Sequence, residues 1–401
     1  MPRIFPDWIE AFEDYTKFGE APNHVYRWAA VSAVAGALRR KVWLDQVYFK
    51  WYCNEYIILV APPGIIAKST TAEIAMSLLR GVDDIRFGPD VITWQALVSS
   101  FAGALEKFEL PDGRVEAMSP ITIASSELGN LMAPGDREMV DLLVTLWDGR
   151  DRPFRKETKG SGSDSVENPW INMIACTTPA WISGNFPEYM IGGGFMSRCI
   201  FVYAEEKRNY VAYPGMAVAG TDIVKHAGDL ISDLREIAAL CGEFGMTQEA
   251  VEWGADWYKR HYESKGNGLL EDSRFGGYVA RKQTHLHKLA MIFSASRSED
   301  LIITSADLQR ADTELTFLEK DLPKVFDRVG KSTDSVNADR LLEFVNAHGR
   351  CSFSEAYSAL HSAIPHVEEF EALQKSLEKA GLIKVEVAES KLWLVSNRAR
   401  R

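Results

Sequence analysis

The sequence predicts an α/β core flanked by helical regions and closed by a small mixed unit, and three observations carry that expectation. Four short apolar, β-prone runs (56–61, 121–125, 170–176 and 199–204) alternate with stretches of helical periodicity. Residues 220–325 hold almost no strand signal. The last sixty or so residues run helix, short strand, two helices and then two strands across Ala388-Glu389-Ser390. The expected divisions are an N-terminal helical region (1–50), the α/β core (51–215), a helical lid (216–331) and a C-terminal unit (337–401).

Taken in order, Trp8, Ile9, Phe12 and Tyr15 have helical spacing, Ala21-Pro22-Asn23 breaks it, and helical spacing resumes from His24 to Leu38. Val42 to Tyr52 alternates as strands. The run Tyr56-Ile57-Ile58-Leu59-Val60-Ala61 ends in Pro62-Pro63-Gly64, and Lys68-Ser69-Thr70 then opens a helix from Thr71 to Arg80. A strand, a tight turn and a helix opened by Lys-Ser is the layout of a phosphate-binding P-loop. Backbone N–H groups at the helix start cradle an anion, Lys68 neutralises it, and the Ser69 hydroxyl ligates Mg²⁺. The usual pattern is G-x-x-x-x-G-K-[ST]; Pro62 and Ala67 stand at its two glycine positions, so Gly64 alone supplies free torsions, flanking a helix start at Ala67, Lys68, Ser69 and Thr70. A plain turn capped by Ser69 fits the same letters.

Ile121 to Ser125 ends in Ser126-Glu127, a carboxylate at a strand tip that can polarise water and help hold Mg²⁺; an N-cap pair is the alternative. The strand at 170–176 ends in Thr177-Thr178-Pro179, two hydroxyls before a turn. Gly192-Gly193-Gly194 leads through Phe195-Met196-Ser197 to Arg198, which either presents a cation at a protomer edge or makes a surface salt bridge. Between the helix after Glu127 and the strand at 170 lies a basic, Gly/Ser-tipped excursion that reads as a β-hairpin. Its Arg150, Arg152, Arg155, Lys156 and Lys159 fit sequence-independent phosphate contacts, or a solvated charged loop. On the helix from Tyr278, Arg281 is a second candidate phosphate contact; His285 and His287, two apart, do not share a face for metal binding.

Composition sets the class. Over 401 residues, 46% hydrophobic and 25% charged content is ordinary for a globular chain, and a net charge of −11 excludes a protein that coats nucleic acid over its whole surface. No apolar run is long enough to span a bilayer, and the N-terminus lacks a signal-peptide core, so a cytoplasmic protein is expected. The five cysteines have no metal-ligand spacing and read as reduced, buried thiols.

With these parts in this order, the chain resembles the AAA+ helicase-like ATPases of phages and prophages. The resemblance rests on Pro62-Pro63-Gly64 with Lys68-Ser69-Thr70, Glu127, Thr177-Thr178, Gly194-Phe195 with Ser197-Arg198, and Arg281 through Leu289-Ala290. The lid and C-terminal unit also look like the C-terminal half of minichromosome-maintenance helicases, the final unit being a winged helix. The resemblance implies a P-loop NTPase core in a hexameric ring in a bacterial host's cytoplasm, with ATP and Mg²⁺ between protomers. Within it Glu127 would be the general base, Thr177 or Thr178 the γ-phosphate sensor, Arg198 an arginine finger reaching a neighbour, Arg281 a lid sensor, and the 150–159 hairpin a grip on single-stranded DNA in the pore. Duplex DNA would meet the winged helix, although the acidic start of its third helix (Glu368, Glu369, Glu371) equally suits a protein contact. The implied activity is an ATP-dependent DNA motor. The alternatives are a nucleotide-gated helicase loader or origin-binding initiator with little turnover, or a regulator whose P-loop is vestigial. Ser126, standing where such ATPases carry Asp, departs from the pattern.

Overall fold

The computed structural model describes residues 3–133, 135–150, 153–158, 162–186, 190, 194–265, 268–269, 272–326, 333–388 and 391–397. The chain forms two compact units, 1–327 and 328–401.

The first unit opens with α1 (Trp8–Tyr15), whose Asp7 carboxylate caps the N–H groups of Ile9 and Glu10 at 2.9 and 3.2 Å. Next comes α2 (Asn23–Leu38), alanine-rich and buried along nearly its whole length. A hairpin, β1 (Val42–Asp45) and β2 (Lys50–Tyr52), leads to β3 (Tyr56–Val60) and α3 (Lys68–Arg80). Then follow α4 (Trp94–Gly103), β4 (Glu106–Glu109), β5 (Val115–Ser125), α5 (Arg137–Trp147), the hairpin β6 (Phe154–Thr158) and β7 (Gly162–Val166), β8 (Pro169–Thr177), α6 (Pro179–Asn185) and β9 (Cys199–Tyr203). The unit closes with α7 (Pro214–Ala217), α8 (Ile223–Ala239), β10 (Gly242–Glu243), β11 (Gly245–Met246), α9 (Gln248–Glu263), α10 (Gly276–Arg297), β12 (Ile302–Ile303), α11 (Ser305–Glu319) and α12 (Leu322–Phe326).

The main sheet has the order β4-β5-β8-β3-β9, with β5, β8, β3 and β9 parallel and β4 antiparallel at the edge. The four parallel strands are the four apolar runs read from the sequence. After α3 the chain rejoins this sheet at 86–88, where Phe87 bridges Thr122 in parallel. Side chains alternate across β3: Ile57 and Leu59 enter the core shared with α2 and α3, whereas the Tyr56 hydroxyl donates to the Leu143 carbonyl of α5 at 2.8 Å on the other face. The protein is thus a mixed α/β fold with helices on both faces of a mostly parallel sheet. Residues 220–325 are helical as expected, apart from three two-residue strands. Of these, β10 ties the region back into the fold by running parallel to β1, and β11 and β12 pair in parallel with each other.

The second unit contains α13 (Thr333–His348), β13 (Arg350–Ser352), α14 (Phe353–Leu360), α15 (Val367–Lys379), β14 (Ile383–Ala388) and β15 (Lys391–Ser396), with sheet order β13-β15-β14. A reciprocal Ser352–Glu355 cap starts α14, and Leu341, Val345, Ile364, Phe370, Leu377, Ile383 and Leu394 form a core of its own. No described helix is long and apolar enough to cross a membrane.

Candidate functional site

The site lies at the carboxyl ends of β3, β5 and β8. β3 sends its connection toward the β5 side of the sheet, whereas β8 sends its own to β9 at the opposite edge, so the crevice between them is a topological switch point where α/β sheets bind ligands. Register aligns the parts. Val60 is level with Thr177, and Ser125 with Ala175, which puts Glu127 level with Thr177 beside the start of the loop after β3. The Ser125 hydroxyl donates to the Glu127 carbonyl at 2.7 Å and fixes that tip.

The loop 61–67 turns at Gly64, whose φ of 73° is the left-handed conformation glycine adopts freely. Ala67, at the second glycine position of the motif, has φ −81°, is exposed, and needs no glycine torsion. It is the N-cap of α3 and offers no side-chain cap; the Lys68 N–H donates to the Ile66 carbonyl at 3.0 Å, which leaves the Ser69 and Thr70 N–H groups at the positive end of the helix dipole. The Lys68 ammonium donates to the Ala61 carbonyl at 2.9 Å. Partial burial lowers its pKa, against the opposing fields of Cys176 and Glu127. Burial pushes the Cys176 thiol up to about 12, so it is neutral near pH 7. Of the two strand-tip hydroxyls, Thr178 accepts from the Trp181 N–H and caps α6, whereas Thr177 Oγ1 is buried with no hydrogen-bond partner among the described residues.

Two clefts meet at Thr70 and Ile74. One, of 550 Å³, is mixed in character and runs along α3 past Ser69, Glu73, Asp90, Ser125 and Ser126. The other, of 420 Å³, is apolar and lined by Tyr15, Phe18, Tyr26, Val211, Pro214 and Ile223, with Ala67 and Thr71 at its floor. Its two walls are riveted together: Lys207 pairs with Glu20 at 2.6 Å, Arg208 Nε donates to the Gly19 carbonyl at 3.0 Å, and the Val211 N–H donates to Glu20 at 3.0 Å. Sequence reading missed this cleft, because its walls come from segments nearly two hundred residues apart. The only local trace was the aromatic set Tyr15, Phe18 and Tyr26 around the break at 21–23.

Arg198 differs from expectation. It precedes β9 and so lies at the amino end of the parallel strands, opposite Lys68, and it is buried rather than presented at an edge. Its Nε and Nη2 donate to Asp148 at 2.9–3.2 Å and its Nη1 to the Gly194 carbonyl at 2.9 Å. The reason is a buried polar network that sequence reading did not find. There His285 bridges Glu55 (3.1 Å) and the Ser197 carbonyl (3.0 Å), and Lys288 donates to Asn54 (2.9 and 3.0 Å) with its ammonium 3.6 Å from the centre of the Trp147 ring. Arg281 is half-buried in the fields of Arg198 and Asp148, on the same side, and not beside Lys68. His287, buried against Trp51, donates from Nδ1 to the Gln283 carbonyl, and among the described residues no group of three His, Cys, Asp or Glu side chains could hold a metal ion.

The basic excursion is a hairpin, with Arg155 opposite Ser165 and Lys156 opposite Asp164. Arg150 is exposed, 3.9 Å from Asp148. The side chains of Arg155 and Lys156, and all of Arg152 and Lys159, lie outside the described residues, as do Gly192 and Gly193. Four of the cysteines are buried and the fifth half-buried, all as free thiols. The chain matches no protein-family model and no curated protein.

Proposed function

We propose that the first unit is a P-loop nucleotidase that binds ATP and Mg²⁺ and uses the cycle to move on DNA as a ring of identical subunits. The observation that supports it is the placement of Lys68, Glu127 and Thr177 on the carboxyl side of the neighbouring strands β3, β5 and β8, with an apolar and a mixed cleft meeting at Thr70. The donor set fits the ligand. An apolar slot beside three aromatic rings suits a purine, the helix start and Lys68 suit a triphosphate, and the Ser69 hydroxyl with the Glu127 carboxylate suits a hard cation. The bound nucleotide supplies the scissile phosphoanhydride. Lys68 leaves the Ala61 carbonyl to neutralise it, Thr177 donates to its terminal oxygens, and Glu127 orients water and takes its proton. The β6–β7 hairpin tracks the DNA backbone through its basic residues, and the second unit, whose element order is that of a winged helix, carries a duplex or protein contact.

The burial of Arg198 favours a second reading, a nucleotide-gated loader or initiator with little turnover, because the arginine is held by its own protomer. ATPase assays with and without single-stranded DNA separate the two. A motor gives DNA-stimulated turnover abolished by Lys68→Ala and Glu127→Gln. Nucleotide-dependent assembly without turnover supports the loader, and failure to bind ATP overturns both.

A further inference from the structure

The β1–β2 hairpin ends in Val47-Tyr48-Phe49, three consecutive large apolar side chains that are 87%, 94% and 54% exposed. The tip is tightly built. Gln46 N–H donates to the Phe49 carbonyl at 2.9 Å, Tyr48 N–H to the Gln46 carbonyl at 2.7 Å, and Val47 N–H to the Asp45 carboxylate at 2.6 Å. These bonds hold Val47 at φ 67° in the rare, strained form of the γ-turn, a conformation that a β-branched residue resists and glycine would adopt freely. Strain held this firmly marks a place where side chains are presented for use.

The base of the hairpin is anchored on both sides. Trp51 packs its ring 4.7 Å from that of His287 on α10, and Phe49 leans on Trp51 at 5.5 Å. Tyr52 abuts Gly149 so closely that a Cβ there would stand 2.9 Å from its ring, and Arg40 lies 3.8 Å over the Tyr52 ring while donating to the Gly149 carbonyl. Gly149 and Arg150 lead into the basic β6–β7 hairpin. The base of the aromatic hairpin therefore packs on the segment that precedes the basic hairpin in the chain, and at about 3.3 Å per residue Tyr48 stands at most about 13 Å along the chain from Tyr52.

We propose that this tip is a stacking site for unpaired nucleic-acid bases, with Tyr48 as the ring on which a base lies. A fully exposed aromatic ring beside cationic side chains is the combination that binds single strands without regard to sequence, the ring taking the base and the cations the phosphates. Lys50 and the exposed Arg150 supply cations at the base of the hairpin, and the Asp45 carboxylate beside the tip is turned to the Val47 N–H. The inference rests on the reading of β6–β7 as a backbone grip.

The test is fluorescence anisotropy with a labelled oligothymidylate of about 20 nucleotides across a salt series. Tyr48→Ala weakens binding about tenfold and leaves the salt slope unchanged, because stacking releases no counterions. Tyr48→Trp retains it, and Arg155→Glu/Lys156→Glu weakens binding and flattens the slope. All variants keep the wild-type melting temperature. If Tyr48→Ala binds as wild type while Arg155→Glu/Lys156→Glu does not, the stacking site is overturned and the backbone grip stands. If wild type does not bind, both fall. If Tyr48→Ala dissociates an oligomer without changing affinity per chain, the tip is a subunit contact and the proposal is overturned.

Discussion

Asp148→Ala removes the partner of the Arg198 guanidinium and tests whether that arginine is fixed inside its own protomer. Wild-type Arg198, only 5% exposed, gives Asp148 three hydrogen bonds between 2.9 and 3.2 Å. In the variant the guanidinium keeps the Gly194 carbonyl and the Trp147 ring, 5.6 Å away, and meets the charge of Arg281 without an intervening anion. Breaking a buried pair from one side costs about 3–5 kcal/mol. Asp148 is 29% exposed, so water takes up part of the loss and about 2–3 kcal/mol is expected. At about 2 °C per kcal/mol for a unit of this size, differential scanning fluorimetry should show the first unit melting about 4–6 °C lower. Asp148→Asn keeps one acceptor oxygen and should fall about half as far, and Asp148→Leu combined with Arg198→Met should recover most of the loss. A melting temperature for Asp148→Ala within about 1 °C of wild type would refute the argument and return Arg198 to the role of a free edge residue.

Thr177→Val removes a buried hydroxyl that has no partner, so thermal stability should hold or rise slightly while ATP hydrolysis falls; a parallel loss of both would make Thr177 structural. Ala67→Gly should leave ATP affinity within about twofold by calorimetry and stability within about 0.5 kcal/mol, since Ala67 already has an ordinary φ. Burial holds His287 neutral down to about 4, well under its ordinary value. The unfolded chain therefore binds a proton that the folded one refuses between about pH 6.5 and 4. The stability this histidine contributes is complete above that window and declines through it, by about 3 kcal/mol at most. His287→Gln should flatten the acid limb of the melting-temperature profile, and an unaltered limb would contradict the assignment.

Local signals carried much of this far. The four parallel strands show as apolar runs because strands buried on both faces need no alternation, and the positions of Glu127 and Thr177 at strand ends and of Lys68 at a helix start were legible with them. The C-terminal unit was equally readable, since its caps and turns are encoded within a few residues of each element. What escaped was non-local. Glu55 and His285 are separated by 230 residues and each is unremarkable in its own window, yet their pairing helps seat Arg198 inward. The strand β4 is short, charged and half-exposed, and carries no periodic signal; its pairing with Val115–Met118 lengthens β5 beyond the apolar run.

Helix α10 is buried almost all the way round, and its last four turns are keyed to the rest of the first unit by Glu55, Asn54, Trp51, Asp7 and Arg3. A shaft held at so many points cannot slip. Sliding by one turn, about 5.4 Å, would pull His285 and Lys288 from their oxygens at the same moment. Any stroke that moves this helix must therefore carry the amino edge of the sheet and the aromatic hairpin with it as one rigid part. Freedom to move is left at the opposite end of the strands, in the exposed turn Pro63-Gly64-Ile65.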